Sequence, residues 1–188
     1  LPISHFSKMF GTQDAKVARV TDDPSGGTAT YGTTVDVPAI KSVELSGSVN
    51  TVELRGDNSL LDSSTTLTGI TGTVNAGKVS LDVLSELFAT SVTDAGSGTT
   101  ETATWDLTAT TALRYFKLEA ATPSTGADVV GGDVHFILHK CIINGFPDLG
   151  LAEEDYRTVS FGVSAVPLLA TGRKWLSIVF NETAAAIA

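Results

Sequence analysis

Among the residues able to do chemistry, His135, His139 and Cys141 stand closest together, in DVHFILHKCII. Zinc asks for about four such ligands in a tetrahedron. The stretch reads as a strand with all three residues on one face. At ~3.3 Å per residue, His135 and His139 are roughly 13 Å apart, too far for one ion. The spacing therefore describes ordinary sheet residues, and no metal is expected. Phe161-Gly162-Val163-Ser164 starts like a nucleophile elbow but lacks the second glycine of G-x-S-x-G. Neither a P-loop nor a G-x-G-x-x-G turn opens a helix, and Gly96-Ser97-Gly98 reads as a loop tip. Asp148, Glu153, Glu154 and Asp155 crowd a late turn without the alternating ligands and central glycine of a calcium loop, so a solvated acidic turn is expected. Arg55-Gly56-Asp57 spells a tripeptide that some adhesion receptors read, yet turn chemistry alone accounts for Gly56-Asp57. Asn181-Glu182-Thr183 is a glycosylation acceptor sequence, expected to be silent. The reading is of a protein that is not an enzyme and holds no cofactor.

Charge narrows the classes further. Twelve basic residues face 21 acidic ones, a formal net charge of −9 over 188 residues. No run of Lys or Arg exists. Tight binding of nucleic acid needs clustered cations against phosphate, which argues against such a surface. Cys141 is the only cysteine, so no intrachain disulfide can form. No apolar run approaches ~18 residues, so no membrane-spanning helix is expected. The opening LPISHFSKMF lacks the apolar stretch of a signal peptide.

The elements that would position these residues are mostly strands, because Val, Thr, Gly and Ser dominate and Glu/Lys/Arg-rich helical stretches are missing. Residues 1–14 read as an arm, either a disordered terminus or one whose Phe6, Met9 and Phe10 dock on a neighbouring subunit. Residues 15–182 read as a single domain and 183–188 as a tail. Ala15–Thr21 alternates as a strand and ends in the turn signal Asp22–Gly27. From Val43 to Thr51, Val43, Leu45, Gly47 and Val49 share one face, and Glu44, Ser46, Ser48 and Asn50 the other. The parity flips at Val52 and Leu54, which predicts a bulge or strand end near Asn50–Val52. Arg55–Ser64 reads as a polar loop presenting Leu60 and Leu61 as a contact surface. Its partner strand, Thr65–Ala76, puts Ile70, Gly72, Val74 and Ala76 on one face and Thr65, Thr71, Thr73 and Asn75 on the other. A short helix is expected over about 80–89, with Ser80 as N-cap and Asp82 in the first turn. Ser91–Thr104 and Ala121–Gly132 read as flexible loops. Leu113–Ala120, a central Asp133–Ile143, Thr158–Leu168 and Trp175–Phe180 read as strands.

Taken in order, these elements resemble the major tail tube proteins of long-tailed, siphovirus-like bacteriophages. The likeness begins with KVARVTDDPSGGTATYGTTVDVPAI. It runs through SVELSGSVNTVELRGD, TLTGITGTVNAG, the helix SLDVLSELF, RYFKLEA, DVHFILHKCII and AEEDYRTVSFGVSAVPL. It covers most of residues 15–180 as a pattern of elements, and departs from many relatives in the loop 91–104 and the aromatic arm. The resemblance implies a mainly β fold, a β-sandwich or barrel of the tail-tube type with one flanking helix. It implies a structural virion protein, assembled in the bacterial host cytoplasm, whose rings (usually hexamers) stack into a conduit for genome ejection. The implied partners are the protein itself, a tape-measure protein in the lumen, tail terminator and tail-tip proteins, and double-stranded DNA in transit, with no membrane insertion.

The width of such a pipe can be checked. A barrel of about 24 strands, four per subunit, spaced ~4.8 Å and tilted ~40°, leaves a channel of roughly 35–40 Å. B-DNA, about 20 Å wide, passes with water around it. About 12 strands leave roughly 14 Å, too little. On this reading Glu44, Ser46, Ser48, Asn50, Thr65, Thr71, Thr73 and Asn75 face the lumen, and Arg55, Asp57, Leu60, Leu61 and Asp62 make contacts between rings. A β-rich, acidic chain also fits a capsid decoration or tail terminator protein. A carbohydrate-binding or adhesin module would instead present exposed aromatics for sugar stacking.

Overall fold

The computed structural model describes residues 8–9, 11–125, 131–150 and 158–187. The expectations for Phe6, Phe10 and Glu153–Asp155 lie outside these residues. In chain order the elements are β1 (Lys8–Met9), β2 (Asp14–Asp22), β3 (Thr30–Tyr31), β4 (Val35–Asp36), β5 (Ile40–Gly56), β6 (Ser59–Ala76) and α1 (Leu81–Leu87). There follow β7 (Val92–Ala95), β8 (Thr102–Trp105), β9 (Phe116–Thr125), β10 (Asp133–Ile143), β11 (Val159–Ala165) and β12 (Leu176–Asn181). The fold is mainly β with one short α-helix, and the strand pairs are antiparallel.

The large sheet runs β3-β2-β9-β10-β11-β6-β5. As expected for the most apolar stretch, β10 is central, and it is also the point where the sheet forks. Its first half, Asp133–Leu138, lies between β9 and β12, and its last residues, Cys141–Ile143, pair with β11. The two branches share one core. Val17 from β2, Phe116 and Leu118 from β9, Leu138 from β10, Val74 from β6 and Val163 from β11 are all buried in the same cluster. Alternation explains why each strand can also show a polar face outward.

The helix closes the core. Ser80 caps it, its hydroxyl accepting from the Val83 amide, and Asp82 sits in the first turn. Val83, Leu84 and Leu87 are buried. Phe88 is already extended and packs edge-on against Trp105 at 5.6 Å between ring centroids.

Three expectations need correction. Arg55–Ser64 is not a loop. β5 and β6 pair almost without interruption, joined by the two-residue turn Asp57-Asn58. Both turn residues have positive φ, 48° and 61°, the left-handed pair that a tight hairpin of matching twist requires. Ser91–Thr104 and Ala121–Gly132 are not wholly loops either. β7 and β8 form a small hairpin whose Val92 pairs with Trp105, and β9 continues to Thr125. Threonine-rich polar segments satisfy the backbone equally well as strands. Finally, β10 carries an irregularity between Leu138 and Cys141. This bulge shifts the alternation by one, so Cys141 joins the core while His135 points to the opposite face.

Leu118→Ala, deep in the core, should lose about 2–5 kcal/mol in urea unfolding of the single subunit. Leu54→Ala, 61% exposed, should change it by no more than about 0.5 kcal/mol. Equal losses at the two positions would mean that the outer part of β5 packs on the body.

Candidate assembly surface

The β5–β6 hairpin leaves the body. Val43, Leu45, Ile70 and Val74 anchor its base on the core, but every residue from Ser46 to Arg55 and from Ser59 to Thr68 is exposed. That ribbon extends roughly 35 Å at ~3.3 Å per residue. β5 pairs only with β6, so among the described residues its outer edge has no partner.

Pairing assigns the faces. Residues directly opposite in an antiparallel pair share a face. Glu44 lies opposite Thr73, Ser46 opposite Thr71, and Ser42 opposite Asn75. Glu44, Ser46, Ser48, Asn50, Thr71, Thr73 and Asn75 therefore lie together. Thr65 does not join them, which corrects the expectation. It lies opposite Thr51, with the two hydroxyls 2.9 Å apart, on the other face. The cause is an extra residue: Ser48 pairs with Gly69 and Val49 with Leu67, leaving Thr68 over as a bulge. The bulge expected near Asn50–Val52 is not in β5, which pairs regularly there; the extra residue is in the partner strand. The Thr68 hydroxyl donates to the Ser48 carbonyl at 3.0 Å.

The hydroxyl face is wider than the sequence indicated. Ser160, Gly162 and Ser164 of β11 lie opposite Asn75, Thr73 and Thr71. Ser164 donates to the Asn144 side chain. Alternation in Thr158–Leu168 carried that signal, but only the β6–β11 pairing joins the two strands. Along β5 and β6 this face holds Glu44 and, toward the tip, Asp62, with no Lys or Arg.

Apolar side chains stud the ribbon on both sides. Val49 and Leu67 lie opposite each other on one face, and Val52 and Leu54 alternate onto the hydroxyl face. Leu60 lies opposite Arg55, whose guanidinium donates twice to Glu53, at 2.9 and 2.7 Å. Leu61 is a second bulged residue, lying against Gly56. Asp57 is in the turn, and the Asp62 carboxylate accepts from the Ser63 amide. Of the arm residues, Met9 is 53% exposed and its strand pairs with the end of β9.

Farther along the sheet, on β9 and β10, the side away from the core is closed by a charged network. Glu119 accepts from Lys117 at 3.1 Å and lies 2.7 Å from His135 Nδ1. His135 Nε2 lies 3.1 Å from Asp133 Oδ2, an ion-pair distance with poor hydrogen-bond alignment. Asp133 also accepts from Asn181 at 2.7 Å and from the Ala185 amide at 2.8 Å. The tail therefore docks here. Lys16 donates to the Ile187 carbonyl, and the Ile187 side chain is buried.

This network explains the remaining motifs. Asn181 is half-buried with its amide engaged, so the glycosylation sequence is not freely presented. His139 lies 2.7 Å from the Ser177 hydroxyl, and no metal-holding cluster exists among the described residues. Cys141 is buried with its thiol 3.1 Å from the Phe116 carbonyl, and burial pushes its pKa up, away from nucleophilic use. Trp105 packs on Phe88 and Trp175 against the core, so neither is laid out as a sugar-stacking platform. No protein-family model matches the chain, and comparison with curated proteins returns no match.

Burial opposes charge on His135, but its two carboxylates overcome that and raise its pKa above 6.5. Burial likewise opposes charge on Asp133 and Asp23, while their donors hold both below 3.8. The histidine's stabilisation is full below its unfolded value and drains as pH rises through the raised folded one. The aspartates' contribution is full above their unfolded value and is lost as pH falls through the depressed ones. From these three groups the urea midpoint of the single subunit should fall as pH drops below 3.8 and again as it rises above 6.5, the ordinary values that bound the two limbs. His135→Gln should flatten the alkaline limb and only weaken the acid one, where Asp23 and the Asn181 and Ala185 donors to Asp133 remain. An unchanged alkaline limb would remove His135 from the account.

Proposed function

We propose that this protein is a self-assembling structural subunit, and that its assembly is a tail tube of the long-tailed phage type. The observation that carries the reading is the free-standing hairpin. A two-stranded ribbon is at best marginally stable in water without a further strand or surface against it. This one exposes six large aliphatic side chains (Val49, Val52, Leu54, Leu60, Leu61 and Leu67) and an unpaired edge. Such an edge invites pairing with another chain, and closure of a ring of copies removes it. The core needs nothing from the ribbon, so its length is explained by what it meets outside.

The lining follows from the hydroxyl face. Glu44, Ser46, Ser48, Asn50, Thr71, Thr73 and Asn75, joined by Ser160 and Ser164, would coat the channel with groups that hold water. Cations there would bind phosphate and drag on passing DNA. The β5–β6 part of this face carries none, and a ring of copies multiplies the −9 of each chain. Screening confines that charge to within ~8–10 Å of the wall, which is where repulsion is needed. Leu60, Leu61 and the turn then make contacts between rings. The tape-measure protein, terminator and tip proteins would be the partners, and the virion the location.

Purified protein in negative stain should give long hollow filaments with a regular axial repeat. Isolated trimers would indicate a decoration protein, and a monomer at every concentration would overturn self-assembly. Leu60→Asp with Leu61→Asp should leave subunits with wild-type far-UV circular dichroism that no longer polymerise. Normal tubes from this variant would remove the hairpin tip from the ring-to-ring contact.

A further inference from the structure

The self-assembly reading leaves open what receives the tip, and a cleft on the body answers it. The cleft, of about 510 Å³, opens at the end of β2 and is lined by Arg19, Asp22, Asp23, Arg114, Tyr115 and Lys140 among others. Three of the chain's twelve basic residues converge here in a protein of net charge −9. One cation is already neutralised. Lys140 donates to Asp23 at 2.7 Å, and the same carboxylate accepts from the amides of Leu169 and Ala170, each at 3.0 Å. Lys140 also lies 4.7 Å from the centre of the Tyr115 ring.

That arrangement leaves the two guanidiniums. Arg19 is exposed, and the Arg114 side chain donates to the Ser85 carbonyl at 3.4 Å. Neither forms an ion pair among the described residues. Arginine forks match carboxylates, so the cleft is suited to an acidic segment. Among the residues that line the cleft, Asp22 is the one acidic side chain not engaged by Lys140.

The same molecule carries a fitting segment. Asp57 and Asp62 are exposed at the hairpin tip and are in no ion pair among the described residues, while Glu53 is spent on Arg55. The two-residue turn is the narrowest part of the ribbon, and Leu60 and Leu61 flank it. Tyr115, 43% exposed, offers those leucines an apolar neighbour. A ribbon projecting roughly 35 Å cannot fold its own tip back onto the body.

We propose that the Arg19–Arg114 cleft is the receptor for the hairpin tip of a second copy, with Asp57 and Asp62 supplying the carboxylates to the two guanidiniums. The proposal rests on the self-assembly reading and adds its acceptor surface. Tip and cleft are different surfaces, so the contact is head-to-tail and propagates from copy to copy instead of closing a two-fold pair.

Charge exchange tests it. Arg19→Glu with Arg114→Glu, and separately Asp57→Asn with Asp62→Lys, should each raise the protein concentration for half-assembly by about tenfold or more in sedimentation. All four changes together should return it to within about threefold of wild type. Circular dichroism and the urea midpoint of the unassembled subunit show that each variant is folded. The proposal is overturned if folded cleft and tip variants assemble within about twofold of wild type, or if the combined variant gains nothing over either pair. It is also overturned if a short DNA duplex binds through Arg19 and Arg114 while assembly ignores both, since the cleft would then belong to phosphate. A wild-type protein that never assembles would instead bring down the self-assembly reading itself.

Discussion

A β-strand edge left in water is the constraint around which this molecule is arranged. Among the described residues, the strands that build the core, β2, β9, β10, β11 and the base of β6, have neighbours on both sides. β5 departs from this along its outer two-thirds, where one edge and both faces are open. Natural proteins blunt such edges with short strands, proline or lysine. Here the strand runs 17 residues, carries neither proline nor a lysine beyond Lys41, and displays aliphatic side chains. Its outer part thus lacks two of the usual protections, although Glu44, Glu53 and Arg55 leave charge on the strand.

Much of the body was legible in the sequence because alternation and capping are local. Ser80, Asp82 and the Leu81–Phe88 spacing marked the helix within a residue or two, and DVHFILHKCII marked the central strand. Legibility failed where one residue changed the phase. Thr68 moved Thr65 across the ribbon, and the irregularity before Cys141 separated it from His135. Neither bulge has a distinctive residue; each exists because its partner strand imposes a register. The hairpin arm was misread for a related reason. Polar residues around Asp57-Asn58 suggest a loop, whereas the hydrogen-bond ladder continues regardless of side-chain polarity. The breadth of the hydroxyl face, including Ser160 and Ser164, depended on which distant strand β6 would meet.

The two sides of the large sheet solve different problems. On one, apolar side chains from both branches meet over the helix. On the other, two carboxylates, a histidine and an ammonium are packed together, and the tail is tied down over them. Burying ions is costly unless each is paired. Here Glu119, Lys117, His135 and Asp133 each have a partner within 3.1 Å. The body can therefore be self-sufficient, while the outer part of β5 has no partner on its free edge among the described residues.

The surplus threonine in β6 has a geometric consequence. A bulge tightens the right-handed coil of the two strands that contain it, so the outer ribbon leaves the body already wound in one sense. Because each copy has the same bulge at the same distance from its base, an array of such ribbons would inherit a single screw direction. The strands' own right-handed twist sets that sense, and the extra threonine, some ten residues from the tip, would sharpen it at one fixed place in every copy.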